Sequence, residues 1–336
     1  MSQAKPTAAH SAATTSSMAR GWPSLLITGI VFAAAVYSFS PRHPPPFAPT
    51  QIFANKVILN GLAHHGSRWV AAGENGVILL ADDPAGPWTE ASVEPARGSA
   101  LNAAIFRDDV ALAVGHDSWI LRSEDQGKTW KEAFFDGEKS LPLMGVAGPF
   151  AGKLFAFGAF GQFLESADGG RSWLPQVHEA LGDFHLNGMV QAADGSLLLA
   201  GERGLLAQST DNGASWARLP EIYPGSFFGA LSLPSGALLA YGMRGNVYVS
   251  RDGAKTWTKS ATPNNNSLFG GTLLETSEVV LVGASNTVLV STDDGATFAQ
   301  VSDNDRFALT AALPAGGSKL LAVGEGGVVV RELGGK

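Results

Sequence analysis

The amino-acid sequence predicts an all-β chain, a seven-bladed β-propeller of four-stranded blades behind one amino-terminal transmembrane helix. Three observations carry this prediction. An aromatic residue recurs at Trp88, Trp130, Trp173, Trp216, Trp257 and Phe298, at steps of 42, 43, 43, 41 and 41. A period of this size marks stacked or radial supersecondary units. Nearly one octapeptide precedes those aromatics: SEDQGKTW (123–130), SADGGRSW (166–173), STDNGASW (209–216), SRDGAKTW (250–257) and STDDGATF (291–298), with ADDPAGPW (81–88) a degenerate first copy. The third observation is a paired landmark. A short apolar run ends in glycine at Gly73, Gly115, Gly158, Gly201, Gly242, Gly283 and Gly324, and 12 or 13 residues upstream lie LNG, LNA, LMG, LNG, FFG, LFG and LTA. Seven pairs give seven units.

Within each unit the first strand follows the LNG position and the second ends at the glycine. A third is typified by VYVS (247–250), and the fourth starts at the aromatic. Short Val-, Leu- and aromatic-rich runs punctuated by Gly, Asp, Asn and Pro are strand-and-turn chemistry. No long 3.6-residue apolar stripe runs between 51 and 336, so helix is scarce there. Radial packing of such small sheets leaves only short, protected edges. The last unit carries three strands (309–313, 319–323, 327–331). Part of the orphan segment IFANKVIL (52–59) is a candidate for its fourth, which would close the ring with both ends of the repeat region.

In the octapeptide, Ser and Asp accept backbone N–H bonds of their own turn and Gly tolerates positive φ. The aromatic is expected to anchor the hairpin on its own blade, its indole N–H seeking an acceptor. In the fourth copy Ala254 replaces Gly, and Gly253 is expected to take the turn instead. Asp125, Asp168, Asp211, Asp252 and Asp293, with Trp130, Trp173, Trp216, Trp257 and Phe298, are therefore read as structural, a job done once per blade. These copies resemble the Asp-box, or BNR, repeats of sialidases and many other propellers. With the G-x-x-G hairpins GENG (73–76), GAFG (158–161), GERG (201–204) and GMRG (242–245), the pattern over about 51–336 resembles the photosystem II stability/assembly factor-like propellers. That resemblance implies a non-enzymatic extracytoplasmic scaffold that helps membrane-protein complexes assemble. It also implies a basic patch on the face away from the Asp-boxes. Fold similarity does not transfer a partner.

The amino-terminal region divides into a polar tail (1–20), an apolar anchor (21–40) and a proline-rich linker (41–50). Trp22 to Phe39 runs eighteen residues without a charge, the lower limit for a transmembrane helix. Ala33 and Ala35 offer an A-x-A pattern, so a cleaved signal peptide is the alternative. Lys5 and Arg20 against Arg42 favour the amino end inside and the propeller outside, which places the head in a bacterial periplasm on the inner membrane. The linker spans roughly 30 Å if extended at about 3.1 Å per residue. The chain has no Cys, closing the lipoprotein and disulfide routes. Three of the 23 basic residues and none of the 30 acidic ones precede position 51, which leaves the repeat region at −10. Such an acidic head argues against nucleic acid as partner.

Glycoside cleavage needs paired carboxylates, or in sialidases a Tyr nucleophile with a Glu partner, and the sialidase resemblance adds three substrate-holding arginines. The equivalent first-strand positions are Asn60, Asn102, Met144, Asn187, Phe228, Phe269 and Thr310, a ring without charge. No catalytic residue, cofactor or metal is assigned, although His178 and His185, with Glu179 and Asp183 between them, form a conceivable metal loop. On the face opposite the Asp-boxes, the second-to-third-strand turns and the inter-blade loops present Phe160, Arg203, Tyr223, Met243, Arg244 and Arg306, types enriched in protein interfaces. Met144, Phe228 and Phe269 either join that surface or plug the channel. The sequence thus points to a membrane-tethered scaffold for a membrane protein complex, a transporter with large periplasmic loops being one such client. A glycan-binding propeller or a divergent sialidase-like hydrolase is the other reading.

Overall fold

A computed structural model of the chain describes residues 22–40, 52–302 and 306–333. The tail (1–20), the linker (41–50) and their reading lie outside the described residues. Trp22–Phe39 is one continuous α-helix with every side chain exposed. Its 18 residues span about 27 Å at 1.5 Å per residue. It is one apolar helix of crossing length beside the amino terminus, a candidate membrane anchor or signal sequence. The rest, from Ile52 onward, is a separate compact unit.

That unit is a seven-bladed propeller. The innermost strands are Leu59–His65, Leu101–Arg107, Leu143–Phe150, Leu186–Gln191, Phe227–Ser232, Leu268–Leu273 and Leu309–Pro314. Each pairs antiparallel with the strand ending at the landmark glycine, then a third and a fourth strand follow outward in sequence order. The glycines have a steric cause. At Gly73, Gly115, Gly158, Gly201, Gly242, Gly283 and Gly324 a Cβ would be driven into the carbonyl oxygen of the residue preceding the adjacent innermost strand. The strand adjoining that carbonyl therefore seats only where no side chain begins.

Every innermost strand also carries a register shift at the same place, around Asn60, Asn102, Met144, Asn187, Phe228, Phe269 and Thr310. A bulge re-aims its side chain, and here it aims toward the next blade. Asn60 donates to the Leu101 carbonyl (3.0 Å), Asn102 to Leu143 (2.8 Å), Asn187 to Phe227 (2.7 Å) and Thr310 to Leu59 (2.8 Å). The Thr310–Leu59 bond joins blade 7 to blade 1 and closes the ring. Ring closure does not use residues 52–58 as a fourth strand, contrary to the sequence expectation. Among the described residues they form no strand, and the last sheet has three. The Ala54 carbonyl instead accepts from the Val328 N–H at 2.9 Å. There the segment takes the position of an inter-blade loop, because only a few residues separate it from Leu59.

Seven apolar clusters fill the seven gaps between blades, and the box aromatic belongs to the gap before its own blade. Trp130 of blade 2 packs with Val70 and Leu80 of blade 1, and Trp216 of blade 4 with Phe155 and Phe163 of blade 3. The expectation that each aromatic anchors its own blade is corrected: it is a wedge between blades. The reason lies in the turn. Ser123 Oγ accepts from Gly127 N–H (2.9 Å), Asp125 accepts from the backbone and hydroxyl of Thr129 (2.9 and 2.7 Å), and Trp130 Nε1 donates to the Gly127 carbonyl (2.7 Å). These bonds fold the turn back so that its aromatic points at the neighbour. The same set recurs around Asp168, Asp211, Asp252 and Asp293. Trp173 and Trp257 bond their turns likewise, while Trp216 Nε1 has no partner among the described residues.

Two consecutive left-handed residues make each of the five box turns that carry Asp125, Asp168, Asp211, Asp252 and Asp293, and the fourth of these keeps both. Gly253 has φ 73° and Ala254 φ 69°. Gly253 thus does not replace Ala254, which itself donates to Ser250 Oγ at 3.0 Å. A feature the sequence did not disclose is a parallel pairing of Ser92–Glu94 with Thr129–Lys131, which carries the exit of blade 1 onto blade 2.

Trp130 is 1% exposed, so Trp130→Ala should lower the unfolding free energy by about 3–5 kcal/mol, measured by denaturant titration. The box carboxylates set an acid limit. Asp211, Asp252 and Asp293 are held down to about 2, chiefly by the hydroxyl and then the backbone N–H of Ser215, Thr256 and Thr297. Unfolded Asp titrates near about 3.9. Their folded pKa lies below the unfolded one, so their stabilisation is complete above about pH 4 and is lost as pH falls toward 2. Thermal melts should show a constant Tm contribution above that window and a falling Tm inside it, and the fall should be smaller after Asp→Asn substitution at these three sites.

Candidate protein-binding face

The turn between second and third strands repeats one conformation on the face away from the Asp-boxes. Its tip residue is left-handed in six blades: Asn75, Asp117, Phe160, Arg203, Arg244 and Ser285 have φ between 50° and 56°. Asn and Asp suit that conformation. Phe and Arg do not, at a cost of roughly 1–2 kcal/mol each against a right-handed backbone. Phe160, Arg203 and Arg244 occupy the same position on consecutive blades 3, 4 and 5, and neither residue type has a local preference for it. The inter-blade loops lock these turns. Gly161 N–H donates to Phe184 O (2.8 Å), Gly204 to Gly225 O (2.9 Å) and Ser118 to Leu141 O (2.8 Å).

Phe160 is 60% exposed and meets the His185 ring edge-on at 4.9 Å. The Phe184 ring lies between two guanidinium groups, Arg203 and Arg218, each 4.5 Å from its centre. Arg203 also stands 3.7 Å from Glu202 and 3.9 Å from Asp183. With its side chain 62% exposed, these long ion pairs hold it weakly. Arg218, on the outermost strand of blade 4, donates its Nε to the Ala180 carbonyl. The Arg244 backbone N–H donates to Ser267 Oγ at 3.2 Å. Among the described residues no carboxylate pairs with its guanidinium, so its charge is free to meet an anion.

Of the other predicted contacts, Tyr223 is half-buried and packs on Phe227 and Tyr248 at 5.9 and 6.1 Å. Its hydroxyl donates to the Met243 carbonyl at 3.3 Å. Tyr223 and Met243 thus brace the turn that carries Arg244. Arg306 is exposed on the loop between blades 6 and 7, its guanidinium 5.7 Å from the Phe307 ring, apart from the blade 3–5 group. Arg218 and His185 join the face without having been singled out for it. No local pattern identifies them, because their neighbours arrive from other strands.

At the axis a cavity of about 330 Å³ is ringed by the bulge residues, with Phe228 and Phe269 in contact at 5.4 Å. Its described lining holds no carboxylate, imidazole, ammonium or guanidinium. The one titratable group is the Tyr241 phenol, which burial pushes well up. This lining offers no acid–base pair for glycoside cleavage. His178 and His185 do not converge: His178 sits edge-on to Phe163 at 4.9 Å, while His185 serves Phe160. Burial lowers the His178 pKa. Among the described residues no three metal-ligating side chains gather.

Residues 144–270, spanning blade 3 to the start of blade 6, match the family of the photosynthesis system II assembly factor YCF48. No curated protein sequence matches the chain. Among solved structures, YCF48 bound to a D1 peptide is 18% identical with TM-score 0.65, covering 84% of this chain and 95% of that one. YCF48 from Cyanidioschyzon merolae is 13% identical with TM-score 0.64, covering 83% and 96%. The WD40 propeller domain of Doa1 is 12% identical with TM-score 0.66, covering 84% and 94%. The chain is a seven-bladed propeller with a YCF48-like repeat. Phe160, Arg203, Tyr223, Met243 and Arg244 all fall inside the matched stretch, whereas Arg306 does not.

Phe160→Gly should leave the unfolding free energy unchanged or raise it by about 1 kcal/mol, because glycine relieves the left-handed turn and little packing is lost. Denaturant titration of wild type and variant checks this. A large loss would make Phe160 a folding residue.

Proposed function

We propose that this propeller is a non-catalytic assembly factor or accessory subunit that binds a segment of a membrane protein complex through the turns of blades 3 to 5. The observation that carries the reading is the placement of Phe160, Arg203 and Arg244 at one turn position in a conformation their side chains disfavour. Strained backbone at exposed positions is a mark of function. The chemistry suits a peptide: an exposed ring for an apolar side chain, and two guanidinium groups for carboxylates. The YCF48 structure with a D1 peptide is a precedent for a propeller of this fold taking a segment of another protein. The apolar helix Trp22–Phe39 supports a tether, and the basic residues before it support a periplasmic head on the bacterial inner membrane. A transporter with large periplasmic loops is a client that fits this topology.

Arg203→Glu combined with Arg244→Glu should abolish co-purification of the client from gently solubilised membranes while leaving the melting temperature in place. Capture that persists unchanged in the folded double variant would remove this face.

A further inference from the structure

Beside Phe160 the chain places an amide, Gln162, that the fold uses only in part. Its position follows the second-to-third-strand turn, where the other blades carry Val77, Trp119, Leu205, Asn246 and Thr287. Val77, Trp119 and Leu205 join the apolar clusters. Asn246 donates to the Met243 carbonyl at 2.9 Å, and Thr287 Oγ1 accepts from Asn266 at 2.8 Å. Gln162 Nε2 donates to Ser118 Oγ at 2.6 Å, and that hydroxyl donates in turn to the Leu141 carbonyl at 3.2 Å. With its proton on Leu141, Ser118 can only accept, which orients the amide with Nε2 toward it. Gln162 Oε1 is left buried, with no partner among the described residues.

Gln162 lines a cavity of about 250 Å³ over the ends of the third and fourth strands of blade 3. Phe134 and Leu141 wall it from blade 2 and the loop that follows, and Phe163, Leu164 and Val177 from blade 3. His178 lines it as well, and its Nε2 is a second buried polar atom without a partner among the described residues. Lys139 and Asp136, an oppositely charged pair in the lining, stand 3.8 Å apart and offset one another. At the mouth Phe160 and Val177 are exposed, Val177 to 92%, so apolar surface there is left in water. The equivalent cavity of blade 4 is about 140 Å³, and Leu205 holds in it the position of Gln162. An unpaired buried polar group is costly. The fold has an apolar alternative at this position, and blade 3 does not use it.

We propose that this cavity is a specificity pocket that receives a tyrosine side chain of the client segment. The ring packs among Phe134, Phe163 and Leu164. The phenol hydroxyl both donates and accepts, so it serves Gln162 Oε1 as donor and His178 Nε2–H as acceptor. An indole N–H only donates, and phenylalanine or an aliphatic side chain leaves both atoms unpaired, which weakens binding. The inference rests on the reading of blades 3 to 5 as the client-binding face and adds the residue which that face selects. Cavity and face are continuous through the loop 177–185. That loop lines the cavity with His178 and Gly182, meets Phe160 with His185 at 4.9 Å, and sets Phe184 against Arg203 at 4.5 Å. A carboxylate close to the tyrosine in the same segment then meets Arg203.

The test uses full-length protein in detergent with methyl-labelled Leu and Val, titrated with N-acetyl-tyrosinamide and N-acetyl-phenylalaninamide and read by NMR. Saturable shifts at Leu141, Leu164 and Val177 are expected with the tyrosine probe, and at least about tenfold weaker binding of the phenylalanine probe. Gln162→Leu, which copies blade 4, should keep the melting temperature and erase that preference. His178→Phe, which keeps a ring in place, should reduce it and decides alone if Gln162→Leu does not fold. Equal affinity for the two probes, or no saturable shift, overturns the proposal. So do shifts confined to Leu205, Leu206 and Leu219, which would put the probe in the blade 4 cavity. A tyrosine preference that survives in both variants overturns it as well. Client capture by a chain that ignores the tyrosine probe would cancel this pocket and keep the face. Tyrosine binding by a chain whose Arg203/Arg244 double variant still captures the client would support the pocket and remove the guanidinium tips alone.

Discussion

The hydrogen-bonded Asp-box turn is the constraint on which the ring depends. A four-stranded sheet of short strands cannot bury both its faces alone, and each face here is covered by the next blade. The box turn delivers one large aromatic into six of the seven gaps, from Trp88 between blades 7 and 1 to Phe298 between blades 5 and 6. The exposed half of the motif, Asp with its Ser or Thr, thus serves the buried half. The bonds run from one carboxylate to a backbone N–H and a hydroxyl four residues on, so the residues between them vary in type, provided that two in succession take the left-handed conformation. At the axis the complementary condition is closeness. A Cβ at Gly61 would fall 2.8 Å from the Ala103 backbone, and one at Gly188 would fall 2.9 Å from Gly229. Innermost strands approach this closely only with small residues, and the bulge residue beside each then reaches the next blade.

Repetition of this kind separates scaffold from function. Where a position does the same job in every blade, its residue type converges, as at the box Asp and the landmark glycine. The tip of the second-to-third-strand turn has one backbone conformation but six different demands on it. Asn75 and Asp117 suit the conformation; Phe160, Arg203, Arg244 and Ser285 adopt it at a cost. The comparison holds backbone geometry fixed and varies only the side chain, and it is this contrast that the proposed binding role of Phe160, Arg203 and Arg244 rests on. Arg203 illustrates the balance: its ring contact with Phe184 orients the guanidinium, yet its carboxylate neighbours are too distant and too exposed to saturate it.

Much of this was legible in the sequence, because period and box recur often enough to average out local noise. Blade number, strand order and the face carrying the turns follow from spacing alone. What escaped has a common origin in neighbours supplied by another blade. The side on which Trp130 packs is decided by Val70 and Leu80, some fifty to sixty residues away in sequence, and the residues themselves carry no sign of it. Ala254 was misassigned because a Gly stood next to it, whereas the turn requires two left-handed residues in succession. The first-strand ring was visible as a recurrent position, but its bulge was not, since a bulge is a relation between two strands. The place of residues 52–58 was misjudged for a related reason. An apolar run beside an incomplete blade looks like its missing strand, yet the few residues left before Leu59 allow it only the course of a connecting loop.

Net charge and local charge act on different scales, and that difference bears on partner choice. The repeat region carries −10 overall, which disfavours close approach to nucleic acid and anionic lipid. At physiological ionic strength, however, a charge is felt over only about 8 Å. A guanidinium at a turn tip therefore answers to the carboxylates beside it rather than to the distant ones that dominate the sum. Arg244 has none paired with it among the described residues, and Arg203 has two at the edge of contact. An acidic partner segment meeting these tips gains two charge-assisted bonds within that range, while a uniformly anionic surface also meets the rest of the acidic head. A negative total charge is accordingly compatible with the proposed recognition of a carboxylate-bearing segment at these tips, to which Phe160 would add an apolar contact that a simple anion does not make.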